Sequence, residues 1–182
     1  MRHLHRRRCW RLALAALLAT VAALTACSAT ATDRAAAPAA TGPPDAKTAM
    51  VCEVEAQEDI AEALGLTTSQ PPTSTWQDRL FTCTYRYPDG VMPVSVKELP
   101  DAAAATKYFN EQQAAAPNAV PFPDMGDAAF AVNNTATYVR KDRFVLKVDV
   151  SGLPDALGAR QTPRNHVGIA VASVILGCWV GD

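Results

Sequence analysis

Side chains that could perform chemistry are few in this chain, and most of them are cysteines and carboxylates. Of its three histidines, only His166 lies beyond residue 27. The motifs of an activated serine, of a zinc-binding histidine pair and of a glycine-rich phosphate loop do not occur in the sequence. We therefore expect no catalytic residue, no metal ion, no cofactor and no enzymatic activity, with His166 solvated in the first turn of a helix.

Acidic side chains cluster between residues 53 and 62. Paired carboxylates can serve as acid and base, as they do in glycoside hydrolysis. Here their spacing places them on the outer side of a predicted helix, which favours surface charge over catalysis. The cluster consists of Glu53, Glu55, Glu58, Asp59 and Glu62.

Cys27 follows a segment that is typical of an export signal. Residues 1–11 are basic and residues 12–24 form an apolar run, shorter than the roughly 20 residues of a membrane-spanning helix. The sequence LTAC that ends at Cys27 resembles the lipobox of bacterial lipoproteins at all four positions. The resemblance implies cleavage after residue 26 and attachment of a diacylglyceryl group to Cys27, which would anchor the chain at the outer face of the cell membrane. Ordinary secretion with cleavage after residue 31 is the alternative.

Composition divides the 182 residues into three parts. Residues 1–26 form the predicted signal peptide. Residues 27–47 contain the lipidated cysteine and a tether rich in Ala, Thr and Pro, which we expect to be disordered. Residues 48–182 are long enough for one extracytoplasmic domain with a hydrophobic core.

The charge of the chain is unevenly distributed. It has 17 Lys and Arg against 18 Asp and Glu, but five of the arginines and none of the acids precede Cys27. The part from Cys27 onward therefore has a net charge of about −6, which argues against binding of nucleic acid. Attachment to the membrane must come from the lipid.

Three cysteines remain in the domain, in a compartment where disulfides persist. Cys52 precedes a predicted helix and Cys83 lies in a predicted strand, and we favour this pair. Closing about 30 residues would stabilise the fold by roughly 3–4 kcal/mol in the chain-entropy model. Cys178 lies on the apolar stripe of the last helix, where a thiol is usually inert. A redox or intermolecular role for Cys178 is the alternative.

Apolar periodicity and turn residues predict three helices and five strands. The helices are expected at 53–64, 101–115 and 163–177, the first ending at Gly65 and the second capped by Asp101. The strands are expected at 80–87, 91–99, 128–132, 135–141 and 143–150. In the first strand, Phe81, Cys83, Tyr85 and Tyr87 alternate with Thr82, Thr84 and Arg86. The turn residues Pro88-Asp89-Gly90 predict that the first two strands form a hairpin. Residues 66–78 and 116–126 are interpreted as loops. The order is therefore α-ββ-α-βββ-α, a two-layer α+β sandwich in which helices cover one face of an antiparallel sheet.

The last predicted helix is apolar on all sides. Besides its main stripe it carries Ile169, Ala172, Leu176 and Trp179. A helix of this kind is buried on both sides. Either the first helix packs over it, or it faces a partner.

Two features are candidates for a binding surface. Trp76 and Phe122 stand beside prolines in predicted loops, where aromatic side chains either bind ligands or cap a core. Arg140, Lys141 and Arg143 form a basic turn that either holds an anion or is simply solvated.

The order of these pieces resembles actinobacterial lipoproteins of unknown function and, more loosely, the extracellular sensor domain of a mycobacterial serine/threonine kinase. The resemblance rests on the lipobox and tether, on Cys52 before a helix ending Ala-Leu-Gly, on Cys83-Thr84-Tyr85 in a strand and on the segment MGDAAF at 125–130. It implies a two-layer domain with an internal disulfide and a ligand-sensing role. The sensor domain usually has a second disulfide, for which Cys178 has no evident partner.

Three functions are consistent with the sequence. The first is a sensor-like module that binds a small ligand or an envelope protein between sheet and helices. The second is an accessory subunit that docks on an envelope complex through its apolar C-terminal helix. The third is an enzyme with a carboxylate pair. A closed internal cavity would favour the first function, and an exposed patch of Ile169, Leu176 and Trp179 would favour the second. Two carboxylates held roughly 5–10 Å apart in a cleft would favour the third.

Overall fold

The computed structural model of the chain describes residues 42–180. The predicted signal peptide, Cys27 and most of the predicted tether lie outside the described residues. The described part belongs to the α+β class, as expected, and combines four α-helices with a large antiparallel sheet of seven strands.

The helices are α1 (Ala46–Ala49), α2 (Val54–Leu64), α3 (Ala102–Ala115) and α4 (Arg164–Val180), and a short 3-10 turn (Met50–Cys52) joins α1 to α2. The large sheet consists of β1 (Gln70–Gln77), β2 (Leu80–Tyr87), β3 (Gly90–Glu98), β4 (Ala119–Phe122), β5 (Ala128–Val132), β6 (Ala136–Lys141) and β7 (Phe144–Asp149). A separate pair, β8 (Ala156–Leu157) and β9 (Thr162–Pro163), precedes α4. The spatial order of the large sheet is β1-β2-β3-β7-β6-β5-β4.

Local signals set the helix ends where the sequence predicts them. Gly65 adopts the left-handed conformation with φ of 62° and its N–H donates to the last carbonyls of α2. The carboxylate of Asp101 accepts from the N–H of Ala104 at 2.8 Å, which caps the start of α3. None of the helices in residues 42–180 is long and apolar enough to span a membrane.

The two edges of the sheet differ from the prediction. The segments interpreted as loops contain β1 and β4, so that the sheet has seven strands rather than five. Both lack an apolar alternation and both contain proline, which removes a backbone donor. An edge strand tolerates this because only one of its sides pairs, and the register of β1 shifts between Gln70 and Thr73 to accommodate its prolines.

Helices lie on both faces of the sheet, which corrects the two-layer prediction. Leu146 of β7 packs into the core beneath α2 and α4, whereas its neighbour Val145 packs with Phe109 of α3. Because successive residues of a strand point to opposite faces, α3 must lie on the face opposite to α2 and α4. Strands β5 to β7 carry apolar side chains on both faces, and this continuous hydrophobicity is what the two-layer interpretation missed.

The last helix, α4, packs within the core. Of the two explanations for its apolar character on all sides, the structure favours packing against the first predicted helix, which is α2. The α4 residues Ala172 and Trp179 are 0% and 3% exposed. The Trp179 ring lies 5.7 Å from the ring of Phe144, and its Nε1 donates to the carbonyl of Lys47 at 2.9 Å. Trp179 is therefore a packing residue that also holds the start of the domain.

The ordered domain begins before the predicted boundary at residue 48. Asp45 caps α1 by accepting from the N–H of Lys47 at 2.9 Å. The predicted disulfide between Cys52 and Cys83 is confirmed, and it joins the residues just before α2 to the centre of β2. Cys178 is a free thiol.

Replacement of Trp179 by alanine is expected to lower the free energy of unfolding by about 3–5 kcal/mol, because a large buried ring and its hydrogen bond are lost. Urea denaturation followed by circular dichroism measures this change. Val120→Ala is the matched control, because Val120 is 53% exposed and should change stability by less than about 0.5 kcal/mol. Equal effects of the two substitutions would contradict the core position of Trp179.

Candidate functional site

The basic turn predicted as an anion site is largely neutralised by carboxylates. Arg140 and Lys141 both pair with Asp127, at 3.1 and 3.5 Å. Arg143 donates to Asp45 at 2.8 Å and lies 3.6 Å from Glu98. All three cations have a partner within the fold, and this arrangement favours a structural role for the turn over anion binding.

The ion pair of Arg143 helps to fasten the start of the domain to the sheet. Glu98, at the end of β3, is only 5% exposed. One of its carboxylate oxygens accepts from the backbone N–H of Asp45 at 2.6 Å, while the other faces Arg143. Arg143 also forms a direct ion pair with the carboxylate of Asp45. The three charged groups therefore form one network that joins the start of α1, the end of β3 and the residue before β7.

The two predicted aromatic residues do not form one surface. Trp76 lies on β1 and Phe122 on β4, which are the opposite edges of the sheet. Both rings are half-buried and pack against the main core. The indole N–H of Trp76 donates to the carbonyl of Gly42 at 3.0 Å, so that this ring also holds the beginning of the described chain.

A cleft of about 250 Å³ opens between α2 and β2, and we call it the α2 cleft. Helix α2 contributes the outer wall and the loop after Gly65 closes one end. The inner wall consists of two tyrosines from the buried face of β2. Its lining is formed by Val54, Gln57, Glu58, Ala61, Leu66, Thr67, Thr68, Tyr85 and Tyr87.

The two tyrosines of the α2 cleft differ in how their hydroxyl groups are used. Tyr85 donates to the carbonyl of Val51 at 2.6 Å in a buried hydrogen bond. The hydroxyl of Tyr87 is also buried but has no hydrogen-bond partner among the described residues, although the residue is only 5% exposed. A buried hydroxyl without a partner costs about 1–3 kcal/mol, so such groups usually have a reason.

Burial also determines the protonation of both phenols. It raises the pKa of Tyr87 to about 12 and raises the pKa of Tyr85 well above its usual range. Both hydroxyls are therefore protonated at neutral pH. Within the cleft, Tyr87 can donate a hydrogen bond to a ligand but cannot act as a base.

One of the polar side chains around the α2 cleft is held in place by the backbone. The side-chain amide of Gln57 donates to the carbonyl of Cys52 at 2.8 Å, which holds its orientation. Val54 is 65% exposed at the rim, an unusual position for a large apolar side chain. The entrance thus combines the apolar Val54 with the polar Glu58 and Thr67, and Tyr87 stands at the inner wall.

A second opening, of about 520 Å³, lies between α2 and α4 and contains the free thiol. The sulfur of Cys178 lies 3.8 Å from a carboxylate oxygen of Asp59. Burial, together with the charges of Asp59 and Glu55, raises the pKa of the thiol. A thiol with a raised pKa is a weak nucleophile, which favours the inert interpretation of Cys178 over the redox interpretation.

The remaining predicted chemical groups lie on the surface. His166 is exposed in the first turn of α4. The five acidic residues between 53 and 62 are exposed as expected for a helix surface. Within residues 42–180, no three His, Cys, Asp or Glu side chains lie close enough together to hold a metal ion.

Sequence reasoning did not single out Tyr85 or Tyr87 as functional residues. It placed both on the inward face of β2 by their alternation, which is correct. The available signal was chemical, because a tyrosine on a buried face needs a hydrogen-bond partner for its hydroxyl. Only the packing of α2 shows that one of the two hydroxyls lacks such a partner.

Comparison of the chain with protein-family models, with curated proteins and with solved structures finds no match. The resemblance to actinobacterial lipoproteins and to the kinase sensor domain therefore stays a prediction, and function must be argued from the site itself.

Tyr85→Phe and Tyr87→Phe should have opposite consequences for stability. Tyr85→Phe leaves the buried carbonyl of Val51 without its donor and should lower the free energy of unfolding by about 1–3 kcal/mol. Tyr87→Phe removes an unpaired group and should leave stability unchanged or raise it by up to about 1 kcal/mol. Urea denaturation of both variants measures the difference, and an equal loss in the two would show that Tyr87 has a hidden partner.

Proposed function

We propose that this protein is a lipid-anchored lipoprotein of the cell envelope whose extracytoplasmic domain binds a small ligand in the α2 cleft, without enzymatic activity. The observation that carries the proposal is the buried hydroxyl of Tyr87, which has no partner among the described residues and lines an open cleft. Because this hydroxyl is itself buried, a ligand with a hydrogen-bond acceptor would satisfy it through a small shift of the side chains that cover it.

The size and lining of the cleft indicate the kind of ligand. A volume of about 250 Å³ is below the roughly 300–1,000 Å³ of pockets for drug-sized molecules, so it suits a small molecule or one end of a larger one. Val54, Ala61 and Leu66 would contact an apolar body. Tyr87 would donate to a carbonyl, ether or hydroxyl oxygen.

No lysine or arginine is among the described residues that line the α2 cleft, which argues against an anionic ligand. Glu58 is exposed at the rim and would repel an anion. Tyr85 and Tyr87 stay protonated at neutral pH, because burial raises the pKa of each. The cleft therefore favours a molecule without negative charge, and binding rather than proton transfer.

The disulfide and the Tyr85 hydrogen bond support this proposal because they fix both walls of the cleft. Cys52 ties the start of α2 to β2, and Tyr85 of β2 holds the carbonyl of Val51. A cleft whose walls are fixed loses little conformational freedom on binding.

The alternative of docking through the C-terminal helix has less support. Ala172 and Trp179 lie in the core, and α2 packs along α4. Ile169 and Leu176 are half-buried rather than exposed. The surface that this alternative needs is thus mostly covered within the domain.

The proposed ligand should be visible by native mass spectrometry of the exported protein, compared with its denatured mass. We expect an added mass that is lost on denaturation, and a ligand affinity that is about five- to tenfold weaker in Tyr87→Phe. The reason is that removal of one hydrogen bond between the ligand and the cleft costs about 1–1.5 kcal/mol.

Tyr138→Phe is the matched control, because Tyr138 packs with the core beneath α3, on the opposite face of the sheet. It should retain the added mass. A bare protein, or equal occupancy in the two variants, would contradict the assignment of the α2 cleft as the binding site.

Lipid attachment is tested separately by metabolic labelling with palmitate and by partition into the detergent phase of Triton X-114. Replacement of Cys27 by alanine should abolish the label, because the thiol that receives the diacylglyceryl group is lost. Cys178→Ala is the control and should be labelled like the native chain. A labelled Cys27→Ala protein would exclude the lipobox interpretation.

A further inference from the structure

The face of the sheet that carries α3 is only partly covered. Helix α3 packs over β5 to β7 through a small core that includes Phe109, Phe130 and Val145. On the same face, the side chains of β1 to β3 are half-buried or exposed. An uncovered part of the sheet therefore lies beside the helix.

This uncovered face presents hydroxyl groups in register across three strands. Thr73 pairs with Thr84, and Thr75 pairs with Thr82, which in turn pairs with Ser95. The hydroxyls of Thr82 and Ser95 lie 2.9 Å apart. Threonine side chains are stiff at χ1, so the hydroxyls keep fixed positions.

Where α3 meets this face, a cleft of about 210 Å³ lies at the end of the hydroxyl row, and we call it the α3 cleft. Ser95 pairs with Lys147 and Lys147 pairs with Tyr138, so that the row of hydroxyls leads directly into it. Helix α3 supplies Tyr108 and Gln112 as the opposite wall.

The α3 cleft is electropositive although the domain as a whole is acidic. It is lined by two lysines and, among the described residues, by no carboxylate. Lys147 pairs with Asp149 at 2.9 Å. The ammonium group of Lys97 contacts only the backbone carbonyl of Asp78 and forms no ion pair within residues 42–180. Lys97 thus keeps an uncompensated positive charge at the cleft.

We propose that the α3 cleft binds an acidic saccharide, with a carboxylate at Lys97 and the sugar chain along the hydroxyl row. The ring of Tyr108 provides apolar surface for the carbon skeleton of a sugar ring. The ring of Tyr138 is stacked on Phe130 at 4.5 Å and has the ammonium of Lys147 5.7 Å from its centroid, so it shapes the wall of the cleft. Gln112 and Ser95 provide donors and acceptors for its hydroxyl groups. A lysine ammonium is a compact donor that suits one carboxylate, whereas planar bidentate recognition is the property of arginine, which does not line this cleft.

This site is independent of the α2 cleft, because the two lie on opposite faces of the sheet. Tyr85 and Tyr87 belong to the core beneath α2 and α4, whereas Tyr138 and Tyr108 pack against the core beneath α3. Either binding proposal can therefore fail without the other.

The experiment is isothermal titration calorimetry of the exported protein with tetragalacturonate, and with maltotetraose as the neutral comparison. We expect tetragalacturonate to bind at least tenfold more tightly than maltotetraose, since a hydrogen bond to a charged group contributes about 1.5–3 kcal/mol, a tenfold to roughly hundredfold change. Its affinity should fall with added salt. Failure of tetragalacturonate to bind, or equal affinity for both sugars, would overturn the proposal.

Two pairs of variants locate the site. Lys97→Gln should weaken binding of tetragalacturonate at least tenfold, whereas Lys107→Gln, on the exposed side of α3, should not change it. Gln112→Glu places a repelling carboxylate in the cleft without changing its shape and should weaken binding to a similar degree. Gln113→Glu makes the same change one residue outside the cleft and should have little effect.

The second pair keeps the test valid even where Lys97→Gln does not fold. Tyr87→Phe should leave tetragalacturonate binding unchanged. Loss of binding in Tyr87→Phe, or equal effects of Gln112→Glu and Gln113→Glu, would place the saccharide elsewhere and overturn the proposal.

Discussion

The attachment of residues 45–52 to the sheet is the constraint on which the rest of the domain depends. Four different interactions hold this short segment: the Asp45 network with Glu98 and Arg143, the exchange of hydrogen bonds between Lys47 and Trp179, the Tyr85 bond to Val51, and the disulfide at Cys52. A segment of eight residues cannot bury enough apolar surface to order itself. Polar and covalent contacts therefore fix the point from which α2 starts, and with it the wall of the α2 cleft.

The two faces of the sheet are used differently because the helices are unequally distributed. Helices α2 and α4 cover one face, where the main core lies, and leave only the narrow α2 cleft beside Tyr87. Helix α3 covers half of the other face and leaves threonines and lysines half-buried or exposed beside it. Prolines in both edge strands hinder further strands from adding to the sheet, so that recognition is expected on its faces rather than at its edges.

Prediction from sequence succeeded where the signal was local or periodic. The alternation of Phe81 to Tyr87, the cap at Asp101 and the stop at Gly65 all depend on neighbouring residues, and the structure contains each. It failed at β1 and β4, because an edge strand with proline has neither the alternation nor the continuous hydrophobicity of a buried strand. It also failed for the position of α3, which lies on the opposite face of the sheet from α2 and α4. The apolar residues on both faces of β5 to β7 were interpreted as belonging to one buried face.

The sequence by itself determined the class of the fold, the central hairpin, the ends of α2 and α3 and the choice of cysteines for the disulfide, because these follow from side-chain periodicity and backbone capping. Only the tertiary structure decided which polar groups are satisfied. Lys141 and Asp127 neutralise each other. Among the described residues, the hydroxyl of Tyr87 is left without a hydrogen-bond partner and the ammonium group of Lys97 without a counter-charge. The physical reason is that a charge or a hydroxyl is satisfied by whatever group lies within about 3 Å of it, and that distance is set by the packing of elements far apart in the chain.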